Sequence, residues 1–228
     1  MHPTEEILLG VASGESDLPR RVLVEGHLDG CVSCRATLAE MTLPGGALLR
    51  GIDGETPPPG MLEDLRRRIA LLPQVPAAAM GTSGASEPLV PATNREVAAM
   101  PLSVSVRCEL PALSTLRRFP WRWALAPGAW YAELARDPWT HSVLLLGYLA
   151  PRRFLPAHQH LAQEDVLVLA GGFDDTQGRH DAGEYAIYEA GSVHRPVTEP
   201  DEECWCLARL ERPNLLLGWR GWLQRLAQ

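Results

Sequence analysis

Between Pro73 and Pro101 the chain runs through Ala, Pro, Ser and Gly with few large apolar residues. That is the composition of a linker, not of an element that packs into a core. The 228 residues are long enough for one large domain or two small ones, and this stretch divides them into two parts. The expected organisation is a helical domain over 1–75, a flexible linker over 76–100 and a β domain over 101–228.

The first part carries helix punctuation. Thr4 can cap a helix from Glu5 to Ala12, and Asp17 can cap a second, with Pro19 suited to its first turn. A third helix is predicted from about Val32 to Leu49, closing near Gly51. The prolines between Thr56 and Gly60 then stop the chain. A fourth, over Met61–Leu72, sets Leu62, Leu65, Ile69 and Leu72 on one face. Past Pro101 the texture turns to β. Strands are predicted at Trp130–Leu134, Ser142–Leu149, Val166–Leu169, Tyr185–Tyr188 and Cys204–Leu210, bounded by Pro, Gly and Asp clusters, which suits a sandwich or barrel. At the tail, Leu215, Trp219, Trp222, Leu223 and Leu226 share a helical face, with Asn214 as a candidate cap. Arg220 and Arg225 make a thin cationic face for a membrane surface, so packing against the barrel is preferred.

A formal charge of −7 and a pI near 5.5 argue against direct nucleic-acid binding, which needs a concentrated basic face. They suit a basic protein partner. The opening residues, with Glu5 and Glu6, lack the basic start and apolar run of an export signal. The apolar run Ser142–Ala150 is far too short to span a bilayer. Cytoplasmic location is expected, and there the five cysteines point to metal ligation before disulfides.

The segment His27-Leu-Asp-Gly-Cys31-Val-Ser-Cys34 has the form H-x3-C-x2-C. If His27 ends one helix and the cysteines open the next, the three ligands converge, with Gly30 allowing a tight turn. Thiolates with imidazole select Zn²⁺, and the N-terminus of a helix favours the thiolate form. His2 is the candidate fourth ligand. The alternative is that Cys31 and Cys34 are core residues and His27 a cap. A structural zinc site can contribute roughly 10–16 kcal/mol of apparent binding energy, enough to decide whether some 70 residues of short helices fold.

The segment His158-Gln-His160-Leu-Ala-Gln-Glu164, with Gly171 after it, reads H-x-H-x3-E-x6-G. On a strand His158 and His160 share a face. A turn brings Glu164 back, and His194 arrives from a later hairpin. The alternative is a barrel that keeps these histidines as polar core groups without metal. This pattern resembles both cupin motifs, over Arg152–Gly171 and Gly183–Thr198, departing at Arg152 (usually Gly), Glu189 (usually Pro) and Thr198 (usually Asn). Zn, Fe, Mn and Ni all remain compatible with the ligand set. His141 and His180 fit neither pattern and are read as surface or loop residues. Cys204 and Cys206 share one strand face, as core or as a redox-sensitive pair. Cys108 carries no signal.

In this order the two constellations resemble the ChrR anti-sigma factors over nearly the whole chain, and the stretch Glu203-Cys-Trp-Cys-Leu-Ala is similar to theirs as well. The resemblance implies an α+β multidomain protein, a small all-α zinc-binding anti-sigma domain followed by an all-β cupin (jelly-roll) barrel with a C-terminal helix. It implies zinc held by His2, His27, Cys31 and Cys34, and a cupin metal held by His158, His160, Glu164 and His194. The implied partner is an extracytoplasmic-function sigma factor, covered on its polymerase-binding surface and released on oxidative stress by singlet oxygen or organic peroxide. The first helix and the Met61–Leu72 helix are the expected contacts. Two competing readings stand beside it. One is a cupin dioxygenase, which needs an open coordination position and a substrate pocket. The other is a ligand-binding module without a sigma partner.

Overall fold

Local chemistry sets the helices of the N-terminal part. The computed structural model describes residues 1–71, 102, 103, 106 and 121–218. Helix α1 spans Glu5–Ser13 and opens with Thr4 Oγ1 accepting from the Ile7 N–H at 3.3 Å. Gly14, at φ 78°, closes it. Helix α2, Leu18–Gly30, opens with Asp17 accepting from the Arg20 N–H at 2.9 Å, with Pro19 in its first turn. Helix α3 spans Val32–Arg50 and α4 spans Met61–Ala70. The linker, Cys108 and the tail beyond Gly218 lie outside the described residues.

The β part contains β1 (Arg122–Trp123), β2 (Ala129–Arg136), β3 (Val143–Leu149), β4 (His158–Gln159) and β5 (Glu164–Asp175). After these come β6 (Gly178–Asp181), β7 (Tyr185–Tyr188), β8 (Val193–His194), β9 (Cys204–Leu210) and β10 (Leu215–Leu216). Among the described residues they form a large antiparallel sheet in the order β1-β2-β3-β9-β5-β6, with β7 also on β5, and a small sheet β10-β4-β8. This is the order of helices then strands expected from the sequence, with the described strands in two sheets. The expected helix start at Asn214 is corrected: Leu215 and Leu216 pair with Gln159 and His158. That pairing takes up the free backbone edge of β4, which a helix would leave open.

Strand β5 shows why its sequence is a continuous apolar run. Val166 and Val168 pack into one core, with Phe173, Tyr188 and Cys204. Leu167, pointing the other way, packs into a second core with Val22, Leu23 and Val24 of α2 and with Ile7 and Leu8 of α1. A strand covered on both faces has no polar side. The outer face of the large sheet is thus roofed by α1 and α2. Gly26 lets α2 come close, because a Cβ there would stand 2.7 Å from Leu167 Cδ2 and 2.9 Å from Val106 Cγ2.

Polar groups pin this roof. Asp17, the cap of α2, also accepts from Arg209 of β9 at 2.9 Å, and Arg20 Nε donates to Asp165 of β5 at 2.8 Å. The side chains of Arg209, Asp17 and Asp165 are each at least 96% enclosed, with exposures of 4%, 3% and 0%. Burial pushes the Asp17 carboxyl up, but Arg209 and the Arg20 N–H outweigh it and hold it below the usual carboxylate range. For Asp165 burial wins, and its carboxyl sits above that range despite two arginines. Asp137, in the β2–β3 turn, accepts from Trp139 N and Thr140 N at 2.9 Å and from Leu18 N at 3.2 Å. It ties the turn to the start of α2.

Candidate metal centres

The helical centre forms where α2 hands over to α3. His27 lies in the last turn of α2, and Cys31 is the N-cap of α3, with φ −105° and ψ 102°. The turn is made at Cys31, and Gly30 is not among the residues with positive φ; the expected role of Gly30 is not used. His2 Nδ1 lies 3.3 Å from His27 Nε2, 3.4 Å from Cys31 Sγ and 3.5 Å from Cys34 Sγ. All four ligand atoms fall within 4.8 Å of one another. For metal–ligand bonds of about 2.0–2.3 Å, tetrahedral edges measure about 3.3–3.8 Å. The cluster therefore fits a tetrahedral ion.

Its electrostatics agree. His27 Nδ1 donates to the Gly183 carbonyl at 2.8 Å, which leaves Nε2 as the bare nitrogen facing His2 and the thiols. The Ser33 hydroxyl beside Cys31, helped by the Cys34 N–H, lowers the Cys31 thiol to about 6 against the cost of burial. Burial and the neighbouring Cys31 raise Cys34. One cysteine is ready to ligate at neutral pH, and the second ionises with a cation present. His2 itself is placed by the sheet, since Tyr185 N donates to the Met1 carbonyl at 3.1 Å.

The second centre lies between the two sheets. His158 and His194 face each other as register partners on β4 and β8. His160 follows β4, and Glu164 opens β5. Their exposures are 1%, 4%, 0% and 7%. The ligand nitrogens of the three histidines lie within 4.8 Å of one another, and Glu164 Oε2 lies 2.8 Å from His160 Nδ1. Asn214 donates to that same carboxylate oxygen.

The hydrogen-bond directions decide what this cluster is. His158 Nδ1 donates to the Pro156 carbonyl at 2.8 Å, and His194 Nδ1 donates to Asp175 at 2.7 Å. Each imidazole then presents a bare Nε2, and these two atoms are 2.9 Å apart. Two lone pairs at that separation repel unless a proton or a metal cation stands between them. Burial drives His158 down to about 4, so a proton is disfavoured on that ring. Neither nitrogen of His160 makes an in-line hydrogen bond, although Glu164 is within 2.8 Å. The three imidazoles gather at one point, and the Glu164 carboxylate stands beside His160 without joining that 4.8 Å group. Glu164 stays below the usual carboxylate range: burial raises it, and His160 and His158 more than offset that.

The departures from the cupin pattern have local consequences. Arg152 stands where Gly is usual and takes φ 56°, the left-handed conformation glycine adopts freely. Thr198 stands where Asn is usual and still serves the turn: its Oγ1 donates to the Ala150 carbonyl at 2.7 Å and accepts from Arg153 N at 3.0 Å.

One sequence expectation needs correction here. His180 is no surface residue: it is fully buried, stacked on Phe173 and bonded to Asp175 at 3.0 Å. Asp175 and Tyr188 around the ligands had not been singled out, and Asn214 had been read only as a helix cap. The run Asp174-Asp175-Thr176-Gln177-Gly178 looks like an ordinary turn, and only the fold aims one aspartate inward. His141 is exposed, as expected. Cys204 and Cys206 are both free and face the inner core.

Fold and sites together define a class: a helical Cys/His module roofing a cupin-type sandwich that gathers a second ligand set. Residues 111–212 match the family of ChrR cupin-like domains. The anti-sigma-E factor ChrR of Cereibacter sphaeroides is 27% identical over 227 residues, covering 100% of this chain and 95% of its own. ChrR in the crystal structure of its complex with SigE from Rhodobacter sphaeroides is 24% identical, with TM-score 0.63, over 92% of this chain and 97% of that one. The chain is thus similar to the anti-sigma factor ChrR over its whole length. Among the described residues no helix is long and apolar enough to cross a membrane.

Proposed function

We propose that this chain is an anti-sigma factor, not an enzyme. It binds an extracytoplasmic-function sigma factor in the cytoplasm, without contacting nucleic acid or membrane, and releases it on oxidative stress by singlet oxygen or organic peroxide. The domains are those of the sequence reading: a helical anti-sigma domain over 1–75, a linker over 76–100 and a cupin domain over 101–228.

One observation carries the reading. Beyond Cys34, α3 has no fully buried residue, and α4 has none at all. Leu43, Leu48, Leu49 and Ile52 in and after α3 are 63–74% exposed, and Met61, Leu62, Leu65 and Ile69 of α4 are 50–56% exposed. Amphipathic helices leave such a face bare only where a partner covers it. A protein whose relative is an anti-sigma factor has a natural occupant for it: the apolar polymerase-binding surface of a sigma factor. The first helix is a poorer contact than its sequence suggested, because Ile7 and Leu8 are buried against the molecule's own core.

Zinc is the ion proposed for His2, His27, Cys31 and Cys34, from the thiolate content of the site. His158, His160, Glu164 and His194 are proposed to hold zinc, or Fe, Mn or Ni. Their burial supports a sensor over a cupin dioxygenase, since a catalytic metal needs room for substrate.

The test is co-purification of the full chain with the host's sigma factors, with metal analysis. Leu65→Asp together with Ile69→Asp should cut sigma affinity at least 100-fold and leave both metals in place. Cys31→Ser should remove one metal equivalent and sigma binding together. Full sigma binding by both variants would overturn the reading.

A further inference from the structure

Behind the barrel ligands lies a buried carboxylate that the reading above does not use. Asp175 is the last residue of β5, and its side chain is fully enclosed. It receives His194 Nδ1 at 2.7 Å, Tyr188 Oη at 2.5 Å, His180 Nε2 at 3.0 Å and the Gln177 N–H at 2.8 Å. Tyr188 in turn lies flat against His160, with ring centroids 5.1 Å apart and an interplanar angle of 5°. One carboxylate therefore governs two of the three imidazoles, His194 directly and His160 through the tyrosine.

We propose that Asp175 is the positioning residue of the barrel metal site. It fixes the His194 tautomer with Nε2 free and anchors the tyrosine that backs His160. The proposal rests on the reading that the barrel holds a divalent metal. Two points support it. The bond from His194 Nδ1 leaves that ring one lone pair, aimed at the point where His158 aims its own. And the ion pairs of Glu164 and Asp175 run only to histidines among the described residues. A divalent cation balances two buried carboxylates, which otherwise stand as uncompensated charge. Outer carboxylates of this kind raise the basicity of a ligating imidazole and lock its orientation.

The experiment uses the full-length protein, stripped of metal and titrated with Co²⁺ against a chelator. Thiolate-to-cobalt absorption reports the helical site, and the visible ligand-field bands that grow in without further thiolate absorption report the barrel. Asp175→Asn keeps the shape and removes the charge. It should weaken the barrel site roughly 10–100-fold and shift its ligand-field bands, while the thiolate band titrates as in the parent. Tyr188→Phe keeps the ring on His160 and loses the bond to Asp175; it should weaken the barrel site several-fold. If Asp175→Asn does not fold, Tyr188→Phe decides. Unchanged affinity and unchanged bands in the folded variants, with the parent barrel binding Co²⁺, would overturn the positioning role alone. A parent barrel that takes up no Co²⁺ would overturn the metal reading and this role together.

Discussion

Single atoms decide much in this chain. Gly171 sits at φ +63°, and a Cβ there would fall 1.7 Å from the Glu203 carbonyl oxygen. Its two nearest neighbours are backbone atoms of Glu203, just before β9, which cannot swing aside as a side chain can. Gly171→Ala should therefore cost about 3 kcal/mol, combining left-handed strain with overpacking, read as a fall in thermal midpoint. His27 is a residue with two allegiances, Nε2 toward the thiols and Nδ1 toward Gly183 of the barrel. No sequence pattern announces the second. The ligand spacings, by contrast, are legible directly, because i, i+3 and i+4 positions at a helix junction and alternate positions on a strand must converge.

At the scale of elements, α2 is the piece on which the arrangement turns. Gly26 sets its distance from β5, and Gly26→Leu should cost about 1–3 kcal/mol by levering the helix off Leu167 and Val106. Denaturant unfolding measures this. Its N-terminus is held by Asp137, whose carboxyl is kept below the usual carboxylate range by the Thr140 N–H first, then by those of Trp139 and Leu18, against burial. A depressed carboxylate stabilises the fold above its unfolded value of about 3.9 and loses that effect as pH falls through the folded value. The melting difference between the parent and Asp137→Asn should thus be full near about pH 6 and shrink steadily toward about pH 3. A constant difference would show that the charge of Asp137 is immaterial. Helix boundaries were readable from caps and prolines. The strand at Leu215–Leu216 was not, because a two-residue pairing depends on the open edge of β4 and leaves no periodicity of its own.

The whole molecule is held by a buried charge cluster across helix, sheet and cap. Arg209 lies between Asp17 and Asp165, and Arg20 closes the set. Arg209→Ala strands the enclosed Asp17 carboxylate, while Asp165 keeps Arg20, and should cost about 3–5 kcal/mol, loosening α1 and α2 from the sheet; hydrogen exchange in α2 would report it. Replacing both Arg209 and Asp17 with apolar residues should cost less than replacing Arg209 alone, because less charge is left uncompensated.

Chain order alone determined the helices-then-strands plan, the spacing of the two candidate ligand sets and the apolar stripe of α4, because each depends on residue type and local spacing. What tertiary structure decided is everything that joins distant segments: α2 roofing the large sheet, Gly183 steadying His27, and Asp175 and Tyr188 standing behind the histidines. These contacts span from about ten to nearly two hundred residues of sequence. The free energy that selects such partners comes from burial and charge compensation, which exist only once the sheets have closed over them.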